Sequence, residues 1–139
     1  RELGTAFVAF SPTGRAFLTG ALRDVATLDA KDIRRGMPRF EPAHYAKNLA
    51  LLPPLEALAT ELGATPAQLA LAWLLAQGPE VIPLPGTTKR EHLVENLGAC
   101  DVALSPAVLV RLGTLFAPSA ISGNRYGAQS QTEVDTEQF

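Results

Sequence analysis

The residues best placed for chemistry lie in two short runs. Pro85-Gly86-Thr87-Thr88-Lys89-Arg90 follows the apolar segment Val81-Ile82-Pro83-Leu84 and precedes a helix-like stretch. Such a junction offers backbone N–H groups, two hydroxyls, two cationic side chains and the positive end of a helix dipole. That is the donor set an anion such as phosphate needs. An ordinary turn with solvated bases at its edge fits the same residues, and Gly-Thr-Thr-Lys is not a Walker motif. Ser11-Pro12-Thr13-Gly14-Arg15 follows the apolar segment Ala6-Phe7-Val8-Ala9-Phe10 in the same way. If both segments are strands of one parallel sheet, both loops emerge on one face and can grip the two ends of a dinucleotide. Otherwise they are two unrelated surface turns.

Acid–base and metal chemistry find little support. His44, Tyr45 and Lys47 suggest a catalytic set, but neighbours at i and i+1 on a helix point apart, so packing or solvation is the better account. His44 and His92 are too few and too far apart for a metal site. Cys100 has no nearby histidine and is expected to be buried. Trp73 lies in the most apolar segment and is expected in the core.

These loops must be held by a small set of elements. Ala6–Phe10, rich in β-formers, is expected to be a fully buried strand. Arg1-Glu2-Leu3-Gly4 before it reads as the last turn of a helix closed by glycine, an αβ joint whose helix lies outside this sequence. Residues 16–41 show weak periodicity and predict a long loop with short helical turns, a length that favours function. Pro42 suits the first turn of a helix. Leu51, Leu55, Leu58 and Leu62 form a helical stripe up to Gly63, with Pro53 and Pro54 either in the first turn or at a kink. Thr65-Pro66-Ala67-Gln68 opens a second helix as a capping box, and Gly78 stops it. Val81–Leu84 is a second strand, weakened by Pro83. Lys89–Leu97 and the segment after Ser105-Pro106 are helices, the latter with Leu109, Leu112 and Phe116 inward. The order predicts a parallel α/β fold.

The chain has 139 residues, 47% of them hydrophobic, enough for one domain with a core. Lys plus Arg number 12 against 14 Asp plus Glu, which leaves no electrostatic footprint for nucleic acid or for an anionic membrane. A single cysteine excludes an internal disulfide, no apolar run approaches the roughly 20 residues of a membrane span, and no signal peptide is evident. A reducing compartment, the cytoplasm, is expected. Glu133, Asp135 and Glu137 have no bases beside them, so residues 127–139 are expected to form a mobile tail after a domain of residues 1–126. Two strands make no stable sheet alone, and an eight-stranded barrel needs about 250 residues. The arithmetic implies part of a larger barrel, or a short chain completed by another.

Taken together, the runs Ala9–Gly20, Thr65–Leu75, Val81–Asn96 and Gly123–Tyr126 resemble, in order and spacing, the seventh and eighth strand regions and the end of the aldo-keto reductases. The resemblance implies the C-terminal part of a (β/α)8 TIM barrel, incomplete in this chain, and an enzyme that passes hydride between NADP(H) and a small carbonyl substrate or alcohol. Ser11, Pro12, Thr13, Gly14 and Arg15 would lie along the pyrophosphate and adjoining ribose. Gly86, Thr87, Thr88 and Lys89 would hold the adenosine 2′-phosphate. His92 would stand where many members place an arginine, with less permanent charge, while Glu95 and Asn96 would bond the adenine edge. Thr13 replaces a common leucine and Ala16 a common glycine. The family's Asp, Tyr, Lys and His come from earlier strands, so no catalytic residue is assigned here and the isolated chain is expected to be inactive. A non-catalytic nucleotide-binding or subunit-like module of the same fold is the alternative.

Overall fold

A computed structural model describes residues 2–133. Two strands, β1 (Phe7–Phe10) and β2 (Val81–Leu84), pair in parallel with Phe7 opposite Val81 and Phe10 opposite Leu84. Their sheet has these two strands alone among the described residues. Gly4, at φ +64°, takes the left-handed conformation expected of a helix-closing glycine, but the described residues before it, Glu2 and Leu3, form a turn rather than a helix. Arg1 lies outside the described residues.

Between the strands the chain runs through four 3-10 turns, at Phe17–Thr19, Val25–Thr27, Ile33–Gly36 and Pro38–Phe40, as the weak periodicity implies. Helix α1 (Pro42–Asn48) follows, with Pro42 in its first turn. A 3-10 turn at Leu49–Leu51 leads into α2 (Leu52–Glu61), which carries Pro53 and Pro54 in its first turn. There proline's missing N–H breaks no helical bond. Gly63 ends α2 at φ +65°, and the Gly63 N–H to Thr60 and Ala64 N–H to Ala59 bonds satisfy its last carbonyls. Helix α3 (Pro66–Leu75) opens with the expected capping box: Gln68 N–H donates to Thr65 Oγ1 at 3.2 Å, and Thr65 N–H donates to Gln68 Oε1 at 3.0 Å. Beyond β2 come α4 (Arg90–Leu97), α5 (Pro106–Leu115, capped by Ser105) and one turn, α6 (Ala128–Gln131). That last turn lies inside the stretch expected to be a tail, and residues 134–139 fall outside the described part.

The core lies among the helices. Leu52, Leu55 and Leu58 of α2 meet Leu69 of α3 and Val108 and Leu112 of α5, with Trp73 half-buried at the rim. Each such leucine contributes about 1.5–3 kcal/mol by burial. On α5 the buried pair is Val108 and Leu112, while Leu109 and Phe116 are half-buried.

Two expectations fail. Strand β1 is not fully buried: only Ala9 is, and Phe7, Val8 and Phe10 are exposed. Helix α3 packs against β2. The opposite face of the sheet, formed by Val8, Phe10, Ile82 and Leu84, is about half exposed. A run apolar on both faces is written for two covering layers. Cys100 is exposed, because the 3-10 turn at Gly98–Asp101 directs Ala99 inward instead.

Candidate functional site

Parallel pairing with Phe10 opposite Leu84 puts Ser11 and Pro85 at the same end of the sheet. Ser11, Pro12, Thr13, Arg15 and Gly86 line one concavity of about 540 Å³ between the two strand tips. The first loop turns sharply within a few residues. Gly14 N–H donates to Ser11 O at 2.9 Å, Phe17 N–H to Gly14 O at 3.1 Å and Leu18 N–H to Thr13 O at 3.0 Å. Ser11, Arg15 and Ala16 adopt positive φ of 49°, 55° and 70°, alongside Gly14 at 60°. A non-glycine residue there costs of order 1–3 kcal/mol, and such strain concentrates at functional sites. The left-handed corner at Ala16 also gives a physical reason for glycine at this position: without a Cβ it takes the same φ without strain.

The second loop is set by α4. Thr87 Oγ1 accepts from Lys89 N–H at 3.1 Å, so Lys89 stands as the residue just before the helix, with its side chain exposed. Gln68 Nε2 donates to Glu95 O at 3.0 Å and ties α4 to α3. Gly98 permits this approach, since a Cβ there would meet Gln68 Nε2 at 2.5 Å.

The structure therefore brings together only part of the expected set. Gly14 faces a neighbouring cavity of about 660 Å³, walled by aromatic and aliphatic side chains such as Phe17, Tyr45, Trp73 and Phe116. Thr87, Thr88, Lys89 and His92 are exposed and lie outside the lining of the shared concavity, and Glu95 and Asn96 are half-buried along α4.

Two residues that sequence reasoning passed over complete the concavity: Ile33 and Arg34, from the long loop. Arg34 forms a two-pronged pair with Asp32, Nε to Oδ1 at 3.0 Å and Nη2 to Oδ2 at 2.7 Å. Its remaining nitrogen, Nη1, donates to Arg15 O at 3.2 Å. The hydrogen bonds from Arg34 hold the Asp32 carboxyl down at about 2. The only sequence signal was the spacing Asp32-Ile33-Arg34, which suits a capped turn but names no partner 19 residues away.

Of the His44-Tyr45-Lys47 group, Tyr45 and His44 have structural partners and Lys47 is exposed. Tyr45 is buried, its hydroxyl donates to Leu22 O at 2.9 Å, and its ring packs against Phe40 and Phe17. Burial pushes the phenol above its usual pKa, the wrong direction for a proton donor near neutrality. His44 Nδ1 lies 2.8 Å from Ser122 Oγ. No three His, Cys, Asp or Glu side chains gather as metal ligands among the described residues. No helix among them is long and apolar enough to cross a membrane.

A parallel βα fold with both strand-tip loops around one hollow defines the class, and comparison with known proteins names it. A model of the Aldo/keto reductase family matches residues 1–115. This chain belongs to that family. It is 41% identical over 138 residues to an aldo-keto reductase of Schizosaccharomyces pombe named yakc [NADP(+)], covering 98% of this chain and 41% of that protein. It is 38% identical over 136 residues to the aldo-keto reductase str7 of Strobilurus tenacellus, covering 98% and 40%. The chain thus spans about two fifths of the length of these relatives. Among solved structures, the glycerol dehydrogenase AKR11B4 of Gluconobacter oxydans superposes with a TM-score of 0.73 at 26% identity, over 81% of this chain and 34% of that one. A thermostable aldo-keto reductase, Tm1743, solved with the inhibitor epalrestat, gives 0.53 at 30% identity, over 82% and 31%.

Proposed function

We propose that this chain supplies the NADP(H)-binding part of an oxidoreductase that reduces aldehydes and ketones to alcohols, as the C-terminal portion of a (β/α)8 barrel. One observation carries the reading: the parallel register sets the Ser11 and Gly86 loops side by side around one concavity. The donor set suits the group. Arg15 supplies positive charge beside the Ser11 and Thr13 hydroxyls and the glycine-bearing turn at Gly14, as a pyrophosphate and its ribose require. Gly86, Thr87, Thr88 and Lys89 hold the 2′-phosphate at the start of α4, where free N–H groups and the helix dipole add to the lysine charge. His92 follows on α4 to stack on the adenine, and Glu95 and Asn96 bond its edge. When bound, the nicotinamide exchanges hydride with the carbonyl carbon of the substrate. This chain's residues anchor and orient the nucleotide. In this proposal the proton donor comes from preceding strands of the same barrel or from another chain, which also cover the apolar face of Val8, Phe10, Ile82 and Leu84.

The test combines NADPH fluorescence titration of the chain, shown to be helical by circular dichroism, with an assay on a reactive aldehyde. NADPH binding with turnover no faster than a protein-free blank is expected. A helical chain that binds no NADPH overturns the reading. Turnover well above the blank overturns the assignment of the proton donor to sequence outside this chain.

A further inference from the structure

We propose that Arg34, braced by Asp32, is a positioning residue that latches the left-handed Arg15–Ala16 corner and so presets the loop at Ser11–Arg15 for a pyrophosphate. The inference rests on the nucleotide reading above. Arg15 and Ala16 hold φ of 55° and 70°, a conformation that neither residue favours on its own. Strained corners persist only where their surroundings over-determine them. The loop's own bonds reach the carbonyls of Ser11, Thr13, Gly14 and Ala16, the last accepting from Thr19 N–H at 3.3 Å and from Thr19 Oγ1 at 2.8 Å, whereas the Arg15 carbonyl accepts from Arg34 Nη1 across 19 residues.

A guanidinium can serve as a latch only if its plane is fixed. Asp32 fixes it with two parallel bonds, and also caps the turn that carries Arg34 by accepting from Arg34 N–H at 2.9 Å. The ring of Phe40 lies 6.0 Å from the Arg34 guanidinium carbon, at the outer limit of a cation–π contact. Both charged side chains are about one fifth exposed, at 22% and 20%, so water competes less with these bonds than on an open surface. The fork is specific to arginine. A lysine can reach one oxygen or the carbonyl but cannot do both in a fixed plane. Arg34 also lines the hollow itself, which places the latch against the site rather than at a distance.

Calorimetric titration with two probes separates this role from general stability. NADP+ carries a pyrophosphate, whereas 2′-AMP carries only the adenosine and 2′-phosphate assigned to the Gly86–Lys89 loop. Arg34→Met is expected to weaken NADP+ binding about tenfold and 2′-AMP binding less than twofold, with Arg34→Lys close to Arg34→Met. Asp32→Asn, which keeps the shape but loses the charge, is expected to give a smaller loss of the same selectivity. Equal losses for both probes, or none for either, overturn the latch while leaving the nucleotide reading intact. If the unsubstituted chain binds neither probe, the nucleotide reading fails and the latch fails with it.

Discussion

Lys89 offers the sharpest test of how the nucleotide is recognised. Its side chain is exposed, and among the described residues its hydrogen bonds are made by its backbone, the N–H donating to Thr87 Oγ1 and the carbonyl accepting from Leu93 N–H. Replacing it with methionine keeps the stem and removes the charge without disturbing the entry to α4. A unit charge about 4 Å from another in water is worth about 1 kcal/mol, and a phosphate near neutrality carries about −1.5 to −2 charges. At 0.1 M salt the Debye length is about 10 Å, which reduces this by about a third. The expected loss is therefore about 1–1.3 kcal/mol, or about five- to tenfold in the dissociation constant of NADP+. NAD+ lacks the 2′-phosphate, so its affinity is expected to stay within twofold. Titrating both nucleotides into the chain and into Lys89→Met, at 0.1 M and 0.5 M salt, measures the four quantities required. At the higher salt the NADP+ effect is expected to shrink to a few-fold. Equal loss for NADP+ and NAD+, or a salt-independent loss, refutes the assignment of Lys89 to the 2′-phosphate.

Two further outcomes follow from backbone strain and from the Asp32 carboxyl. Ala16 sits at φ +70°, and Ala16→Gly relieves about 1–2 kcal/mol of left-handed strain while adding about 0.4–1 kcal/mol of unfolded-state entropy. A net gain of about 0.5–1 kcal/mol in urea unfolding is expected, and a loss would show that the corner is unstrained. Asp32 is held at about 2, below the ordinary 3.8, chiefly by its side-chain bond from Arg34. A carboxyl depressed in the folded state adds stability that is fully present above pH 3.8 and disappears as pH falls through about 2. A carbon-13 NMR titration of this carboxyl should place its midpoint near 2 in the chain and higher in Arg34→Met, though still below 3.8 because the backbone N–H of residue 34 and the Arg35 charge remain. A midpoint near 3.8 in both would show the pair to be open in solution.

Much of the fold was legible because its punctuation is local. Thr65-Pro66-Ala67-Gln68 states a helix start by hydrogen bonds within four residues, and Gly63 states a helix end by a conformation that glycine adopts freely. Leu55 and Leu58 recur at the helical period and are buried as that period requires. Fold class was legible too, since two apolar runs separated by helices leave few arrangements other than parallel pairing. Burial of β1 was not, because its composition answers to layers on both faces while the described residues cover one. Cys100 was misjudged for a related reason: on a 3-10 turn a shift of one residue decides which side chain points inward.

The candidate site divides along the same line. By itself, the sequence determined the two loops and their donor chemistry, because hydroxyls, glycines and bases declare themselves by type and by their place after a strand. Tertiary structure alone decided that Ser11 and Gly86 share one hollow while Lys89 and His92 stand outside its lining. It alone brought Arg34 to the carbonyl of Arg15. A hydrogen bond between residues 19 apart depends on how the intervening loop closes, and loop closure leaves no periodic trace in sequence.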